Sequence, residues 1–342
     1  MGRVGAAGGG PVGAIGWSVG VRGRVERRGR GRRVGVAGVG EFGGRGFTGW
    51  VPRLGALVRP GEGGRVRALV VVVLLFALAA GGAFPAPPPE VRRGPDPVAL
   101  PTGTGPHAVD VLSVDRAEVA GFGGGVVYYP AGAADGPFGV LAVAPGYGEN
   151  SATLAWWGPA LASQGFVVVL IDTLLPTDFP DARATELLAA LDWVVGDSPV
   201  RGLADPDRTA VLGHSMGGGG ALEAALARPW LRAAVPMTPW DVTADFSAVR
   251  VPTLVVGAEG DTIAPAARYA RPSYDSLTAV ARSYLLRAGA DHNFVNTPDP
   301  VVGPVVAWLK RYVDGDTRYT RFLCPDAAVP GYARSAGGCR VS

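Results

Sequence analysis

From about Val98 onward, short apolar runs alternate with helical patterns, and this alternation restricts the chain to few folds. The apolar runs have the length and β-branched content of buried strands, whereas the segments between them have helical spacing. Such alternation is typical of a mostly parallel sheet with helices on both faces. We therefore predict one doubly wound α/β domain over residues 98–342, without an insertion long enough to form a lid.

Six strands and five helices are predicted within this domain. The run Val126 to Tyr129, just before Pro130, is expected to add an antiparallel hairpin at the sheet edge. The predicted strands are Gly139–Ala144, Phe166–Ile171, Thr209–Leu212, Ala233–Met237, Thr253–Gly257 and Ser283–Leu286, and the predicted helices are Ala152–Ala162, Ala182–Val195, Gly218–Ala227, Ala266–Leu277 and Pro304–Val313.

A G-x-S-x-G motif lies between a predicted strand and a predicted helix. The strand Thr209–Leu212 runs directly into Gly213-His-Ser-Met-Gly217, and a helical pattern follows. In this context the sharp turn leaves no room for side chains on the flanking residues and exposes the serine above the sheet. Ser215 is therefore the candidate nucleophile, and a turn serine is the alternative.

A serine nucleophile needs a base, and histidine is the usual one near neutral pH. The chain has three histidines. His107 lies in the Pro/Gly-rich entry segment, and the backbone of the turn should direct the His214 ring away from the serine. His292 follows the last predicted strand, as the chain order Ser, acid, His requires, and is the candidate base.

The third member of the triad is an acid that accepts a hydrogen bond from the base. Asp261 lies in the loop after strand Thr253–Gly257, at the carboxyl edge of the sheet, and is the preferred candidate. Glu259 in the same loop is the runner-up, and Asp291 is interpreted as a loop-end acid. Three further acids in the interval lack a strand immediately before them: Asp241, Asp245 and Asp275.

The oxyanion of the reaction needs two backbone N–H donors, one after the nucleophile and one after an early strand. Met216 supplies the first, and Tyr147, in the loop after strand Gly139–Ala144, is the candidate for the second. Trp240 follows strand Ala233–Met237 at the same edge, so its ring can line a cleft for an acyl group. Packing alone is the alternative for Trp240, as is a plain loop aromatic for Tyr147.

The first 97 residues differ in composition from the domain. Residues 1–67 carry thirteen Arg against three Glu, whereas the remainder carries 19 basic and 26 acidic residues. Residues 1–64 are interpreted as a Gly/Arg-rich disordered extension or a mis-annotated start. Residues 65–83 combine two Arg, an apolar run and small residues, as a secretion signal cleaved after Ala83 would; an uncleaved anchor or a core helix is the alternative. Residues 84–97 form a Pro-rich tail.

Composition also excludes several classes of function. The excess positive charge lies in the Gly/Arg-rich head, so a structured nucleic-acid-binding face is not expected. Two cysteines are too few for a zinc cluster or an iron–sulfur site, and the single lysine makes Schiff-base chemistry improbable. We expect a secreted, extracellular monomer without cofactor, metal or stable membrane anchor.

Several motifs in order resemble one known family. They are Gly213-His-Ser-Met-Gly-Gly-Gly-Gly220, Thr238-Pro-Trp240, Asp261-Thr-Ile-Ala-Pro265, Ala307-Trp-Leu-Lys-Arg311 and Asp316-Thr-Arg-Tyr-Thr-Arg-Phe-Leu-Cys324. Together they resemble the actinobacterial cutinases and polyester hydrolases, including the poly(ethylene terephthalate) (PET) hydrolases, of the α/β-hydrolase superfamily. The likeness extends from about Val111 to Cys339.

The resemblance implies an α/β-hydrolase fold and assigns the site. It makes Ser215, Asp261 and His292 the triad. It makes Tyr147 and Met216 the oxyanion donors, and it places Tyr147, Trp240 and Ile263 at the substrate. Asn293 after the histidine and Gly148 in the oxyanion loop depart from the family pattern, which leaves acceptance of bulky aromatic polyesters open.

Two further expectations concern the C-terminal part of the chain. Export to an oxidising space predicts a disulfide between Cys324 and Cys339. Several relatives bind calcium through three acids, but here only Glu259 keeps a carboxylate, because Ala288 and Gly331 occupy the other two positions. One carboxylate cannot hold calcium tightly, so we expect no metal site.

The leading hypothesis is a secreted serine ester hydrolase that cleaves cutin or aliphatic and aromatic synthetic polyesters through an acyl-enzyme. A secreted acyltransferase is the first alternative, because the same triad can pass its acyl group to an alcohol instead of water. A general short-chain carboxylesterase or lipase is the second. A non-catalytic binding module is disfavoured, because every catalytic position is filled.

Overall fold

A computed structural model describes residues 90–132, 134–243, 245–278, 281–323 and 331–337 of the 342-residue chain. The predicted extension 1–64, the predicted signal 65–83 and the first part of the predicted tail 84–97 lie outside these residues. Both cysteines lie outside them too, so the expected disulfide stays a prediction.

A single nine-stranded sheet forms the centre of the described domain, in the order β1-β2-β4-β3-β5-β6-β7-β8-β9. The six strands from β4 to β8 in this order are parallel to one another, whereas β1, β2 and β9 pair antiparallel with their neighbours. The strands are β1 Val109–Val114, β2 Gly125–Pro130, β3 Phe138–Ala144, β4 Phe166–Ile171, β5 Ala204–His214, β6 Ala233–Met237, β7 Thr253–Ala258, β8 Arg282–Arg287 and β9 Tyr332–Gly337.

In the part of the chain that the structure describes, five α-helices flank the sheet: α1 Trp157–Ala162, α2 Pro180–Gly196, α3 Met216–Ala227, α4 Ala270–Ser276 and α5 Val302–Tyr312. Short 3-10 helices lie at Arg116–Glu118, Ser151–Leu154, Arg201–Leu203, Phe294–Asn296 and Thr317–Phe322. Within the described residues, no helix has both the length and the apolar character needed to cross a membrane.

Two hydrophobic cores lie on opposite faces of the sheet because side chains alternate along each strand. In β3, Val140 and Ala142 pack with α2, α3 and α4, whereas Leu141 and Val143 pack with α1 and α5. Both faces of the central strands are buried, which explains why β3 and β4 are apolar at nearly every position. The α/β-hydrolase fold with helices on both faces is therefore confirmed.

Several elements differ from the predictions, and β5 begins at Ala204, five residues before the predicted Thr209. The predicted helix Ala152–Ala162 divides into a 3-10 turn and α1, and the predicted helix Ala266–Leu277 begins only at Ala270, after turns closed by hydrogen bonds to Pro265 O. Strand β9 was not predicted. It pairs with β8 across residues 282–287, so its position is determined by a partner distant in sequence.

Candidate active site

Ser215 lies in a strained turn between β5 and α3. Its φ of 55° and ψ of −119° are unusual for a residue with a side chain. A Cβ on Gly213 would overlap the Gly217 carbonyl oxygen, and one on Gly217 would lie 2.5 Å from Pro145 O. Ser215 N–H donates to Met237 O at 3.0 Å, and Trp240 N–H donates to Ser215 O at 2.9 Å. These contacts hold the turn and explain its two glycines.

The structure brings the three predicted triad residues together in one hydrogen-bonded chain. His292 Nε2 lies 2.8 Å from Ser215 Oγ, and His292 Nδ1 lies 2.7 Å from Asp261 Oδ2. All three residues are buried, with exposed fractions of 7% for Ser215, 4% for His292 and 5% for Asp261. With a neutral ring, Nδ1–H donates to Asp261, and Nε2 accepts the serine proton.

The loop after β7 orients the Asp261 carboxylate. Asp261 Oδ1 accepts hydrogen bonds from the backbone of Ile263 at 2.9 Å and of Ala264 at 2.7 Å, which leaves Oδ2 for the histidine. The other acids considered for this role bond elsewhere. Glu259 accepts the Gly289 N–H at 2.9 Å, and Asp291, which is exposed, accepts the Asn293 N–H at 3.0 Å.

The surroundings of His292 favour its neutral form. Burial lowers the pKa of His292 below its ordinary value of 6.5; the bond to Asp261 opposes this, and the nearby His214 ring adds to it. Desolvation penalises the charged imidazolium, whereas a carboxylate partner favours it. Because burial is the larger effect, the ring is ready to accept a proton at neutral pH.

The two predicted oxyanion donors, Tyr147 and Met216, come from different segments of the chain. Met216 is the first residue of α3, so its N–H has no acceptor within the helix. On either side of Tyr147, the N–H of Gly146 donates to Glu149 Oε2 at 2.6 Å and that of Gly148 donates to Pro176 O at 2.8 Å. Gly148 has a φ of 73°, so a residue with a branched side chain would be strained here.

A buried arginine that the sequence analysis did not identify supports this loop. Arg183 on α2 is fully buried and donates from Nη1 to Pro145 O, from Nη2 to Pro176 O and from Nε to Asp178 O, at 2.8–2.9 Å. Its guanidinium joins the loops after β3 and β4. The sequence could have indicated this role, because Arg183 is a lone arginine on the apolar face of a predicted helix.

Exposed apolar side chains surround the serine at the carboxyl edge of the sheet. Tyr147 and Ile263 are more than half exposed, and Trp240 is half-buried. The Trp240 ring lies 5.9 Å from the ring of Phe179 and 5.9 Å from that of Tyr269. Phe179, which was not predicted, is also more than half exposed. The sequence could have indicated a substrate-facing position for Phe179, because it lies in the loop after β4, at the same edge of the sheet.

Two tryptophans anchor the segment that follows His292. The indole N–H groups of Trp156 and Trp157 both donate to Val295 O, at 2.8 and 3.0 Å. Trp157 is fully buried, and Trp156 is half-buried because its indole reaches the same carbonyl.

The positions that could form a calcium site are occupied by other contacts. The Glu259 carboxylate accepts the Gly289 N–H, and the Ala288 N–H donates to Gly331 O at 3.0 Å. Among the residues that the structure describes, no three His, Cys, Asp or Glu side chains come close enough to hold a metal ion.

The sequence is similar to a family of known enzymes over most of its length. The model of the PET hydrolase-like family matches residues 86–336. The chain is 47% identical to a bis(hydroxyethyl) terephthalate hydrolase of Streptomyces coelicolor, over 76% of this chain and 85% of that protein. It is 49% identical to cutinase 2 of Thermobifida cellulosilytica, over 68% of this chain and 91% of the cutinase, and 49% identical to cutinase cut1 of Thermobifida fusca, over 68% and 75%. By both comparisons, the chain belongs to the PET hydrolase-like family.

Proposed function

We propose that the chain is a serine ester hydrolase that cleaves polyester ester bonds through an acyl-enzyme on Ser215. The substrates would be cutin or aliphatic and aromatic synthetic polyesters such as PET. The observation that carries the proposal is the chain of hydrogen bonds from Ser215 through His292 to Asp261, beneath an exposed aromatic surface. The names of the relatives support the same substrate class.

Acylation begins when Ser215 Oγ attacks the ester carbonyl carbon. The serine proton passes to His292 Nε2, 2.8 Å away, and Asp261 stabilises the imidazolium that forms. Negative charge develops on the carbonyl oxygen, where the N–H groups of Tyr147 and Met216 are proposed to donate. As the intermediate collapses, His292 returns the proton to the leaving alcohol, and the acyl group stays on Ser215.

Deacylation repeats these steps with water as the nucleophile. His292 takes a proton from the water as it attacks the acyl carbonyl carbon, and the oxyanion again lies against the same two N–H groups. When the C–O bond to Ser215 breaks, the proton on His292 returns to the serine oxygen. The carboxylic acid leaves, and the free enzyme is restored.

The cleft surface favours a long, flat and partly aromatic acyl chain. Tyr147 and Trp240 are proposed to lie on either side of the acyl group, and Ile263 extends the apolar surface beyond Asp261. Phe179 adds a ring next to Trp240, so the aromatic surface extends beyond Trp240 itself. Aromatic rings gain from offset or edge contacts as well as from burial. More than half of the Tyr147, Phe179 and Ile263 side chains is exposed, as a surface that meets an insoluble polymer requires.

Secretion is part of the proposal, and it rests on the sequence of residues 65–83. If it is correct, N-terminal sequencing of protein from the culture medium should find a chain that begins near Phe84. The Cys324–Cys339 disulfide follows from the same proposal, because thiols pair in oxidising compartments.

The test is a substrate panel with the purified mature protein: short-chain p-nitrophenyl esters, bis(hydroxyethyl) terephthalate, cutin and polyester film. We expect hydrolysis of all four classes, with soluble acids released from cutin and film. The assay with the p-nitrophenyl esters is repeated with ethylene glycol as a competing acceptor. A product dominated by glycol esters would identify an acyltransferase, and cleavage confined to the p-nitrophenyl esters would identify a general short-chain carboxylesterase.

A further inference from the structure

A second carboxylate–histidine pair lies directly behind the proposed triad. His214, the residue before the serine, is 1% exposed, and its Nδ1 lies 2.9 Å from Glu149 Oε2. Its Nε2 lies 3.1 Å from the backbone oxygen of His292. The reaction proposed above does not use this pair, although it contacts the segment that carries the base.

The Glu149 carboxylate joins three segments of the site. Oε2 accepts the Gly146 N–H at 2.6 Å, in the loop that carries Tyr147, as well as the bond from His214 in the serine turn. Oε1 lies 3.0 Å from Asn296 Nδ2, in the 3-10 turn that follows His292. One side chain therefore contacts the oxyanion loop, the serine turn and the histidine segment.

The hydrogen bonds determine where the protons of the His214 ring lie. The His292 backbone oxygen can only accept, so His214 Nε2 carries a proton. Burial disfavours ionisation of Glu149, but the donors on His214, Gly146 and Asn296 together hold the pKa of Glu149 below its ordinary value. Glu149 Oε2 also accepts the Gly146 N–H, so it can serve as the acceptor for an Nδ1–H donor as well. With both ring nitrogens donating, His214 and Glu149 would form an ion pair in which each charge requires the other.

This arrangement fixes the backbone of the catalytic base. The His292 backbone oxygen accepts from His214 Nε2 and from Thr238 Oγ1, the latter at 3.2 Å. The rings of His214 and His292 lie 4.9 Å apart. The titratable groups that act on His292 include Asp261 on its Nδ1, His214 beside its ring and Glu149, which contacts His214. Arg183 contacts the start of the same loop, where it donates to Pro145 O at 2.9 Å.

We propose that Glu149 is a positioning residue that holds His292 in place through His214 and holds the Tyr147 loop directly through the Gly146 N–H. The inference rests on the proposed function, because the positions of His292 and the Tyr147 loop relative to Ser215 matter only if these groups react. Glu149 itself does not touch the reacting atoms. A catalytic group displaced by about 1 Å can cost about 100-fold in rate, so a support of this kind has a measurable effect.

The first test reads the protons directly and does not depend on catalysis. The protein is labelled with ¹⁵N-histidine, and the imidazole spectra are recorded at pH 7. The chain has only three histidines, so loss of one signal in His214→Gln assigns the ring. We expect two protonated ring nitrogens on His214 in the wild type and one in Glu149→Gln. A singly protonated His214 in the wild type would overturn the ion pair, whatever the enzyme hydrolyses.

The second test separates positioning from binding. Glu149→Gln keeps the shape of the side chain but removes its charge, and Asn296 can turn its amide to compensate. We expect kcat on p-nitrophenyl butyrate to fall about 10- to 100-fold with KM nearly unchanged. Glu118→Gln, the same change at an exposed residue, is the control and should keep both parameters. A rise in KM at constant kcat would contradict the proposal.

The third test asks whether Glu149 acts through His214. If it does, the double variant Glu149→Gln/His214→Gln should lose little more kcat than His214→Gln alone, because changes in one network are not additive. Fully additive losses would overturn the proposal. If Glu149→Gln fails to fold, as judged by circular dichroism, the wild-type imidazole spectrum still shows whether His214 and Glu149 form the ion pair. Wild-type protein that hydrolyses no ester would refute the proposed function but not the ion pair.

Discussion

Gly217 packs so closely against Ala144 that a Cβ on Gly217 would overlap the Ala144 carbonyl oxygen. This contact joins the first turn of α3 to the end of β3. The strained backbone of Ser215 lies between the glycines at positions 213 and 217, and it persists because its surroundings leave no alternative. The same contact holds the loop that carries Tyr147 close to the serine. The small residues of the turn are therefore a packing requirement of the site.

Gly217→Ala should destabilise the protein by about 1–3 kcal/mol or more, because backbone atoms on two sides must move. For a domain of this size, each kcal/mol of lost stability lowers Tm by roughly 2–4 °C. Gly202→Ala is the matched control, since a Cβ there meets open space. Thermal unfolding of both variants checks the prediction, and equal Tm values would refute the packing argument.

Asp261→Asn should lower kcat by orders of magnitude and leave the fold intact. The amide can no longer fix the productive histidine tautomer, an effect of ~10⁴ for the corresponding change in a serine protease. Glu259→Gln is the control in the same loop and should keep most of its activity, since its carboxylate contacts Gly289 instead. A greater loss in Glu259→Gln than in Asp261→Asn would reassign the acid.

The pH dependence of kcat/KM should report His292. The base must be neutral to accept the serine proton, and burial lowers the pKa of His292 below 6.5. His292 is therefore protonated at a lower pH than a free histidine. The acid limb of the profile, where activity is lost as the pH decreases, should have its midpoint below pH 6.5. Steady-state kinetics on a soluble ester between pH 4 and 9 measure the limb. A limb clearly above pH 6.5 would mean that the carboxylate outweighs burial.

Trp240→Ala should reduce cleavage of aromatic polyester film more than cleavage of p-nitrophenyl acetate. Loss of an aromatic contact of about 1 kcal/mol, together with the apolar area it buries, should cost roughly 10-fold on the polymer. Trp230→Ala is the control. Trp230 is also exposed, but it precedes β6 and so lies at the opposite edge of the sheet. Equal losses on both substrates would show that Trp240 supports the fold and not the substrate.

Local sequence was sufficient to predict the central sheet and the position of the serine turn. Strands β3, β4, β6 and β7 are mostly apolar runs that are buried at every position, and such runs are distinct in a single sequence. The proposed triad follows from chain order and from the carboxyl edge of the sheet. Asp261 could be preferred over Glu259 because it ends the loop after β7, and the structure places it against His292.

Contacts distant in sequence could not be predicted. Strand β9 depends on pairing with β8, and Arg183 reaches carbonyls in two loops that only the folded sheet brings together. Glu149 looked like an ordinary loop acid, because nothing near it in sequence indicates that His214 faces it across 65 positions. The half-burial of Trp156 likewise depends on a carbonyl 139 positions away.

The most direct test of the central claim is to trap the acyl-enzyme. The protein is mixed with a p-nitrophenyl ester at low pH, where deacylation is slow, quenched in acid, digested and mapped by mass spectrometry. We expect the acyl mass on the peptide that contains Ser215, and neither acyl mass nor hydrolysis in a folded Ser215→Ala variant. An acyl group on another residue, or turnover by Ser215→Ala at the wild-type rate, would contradict the account.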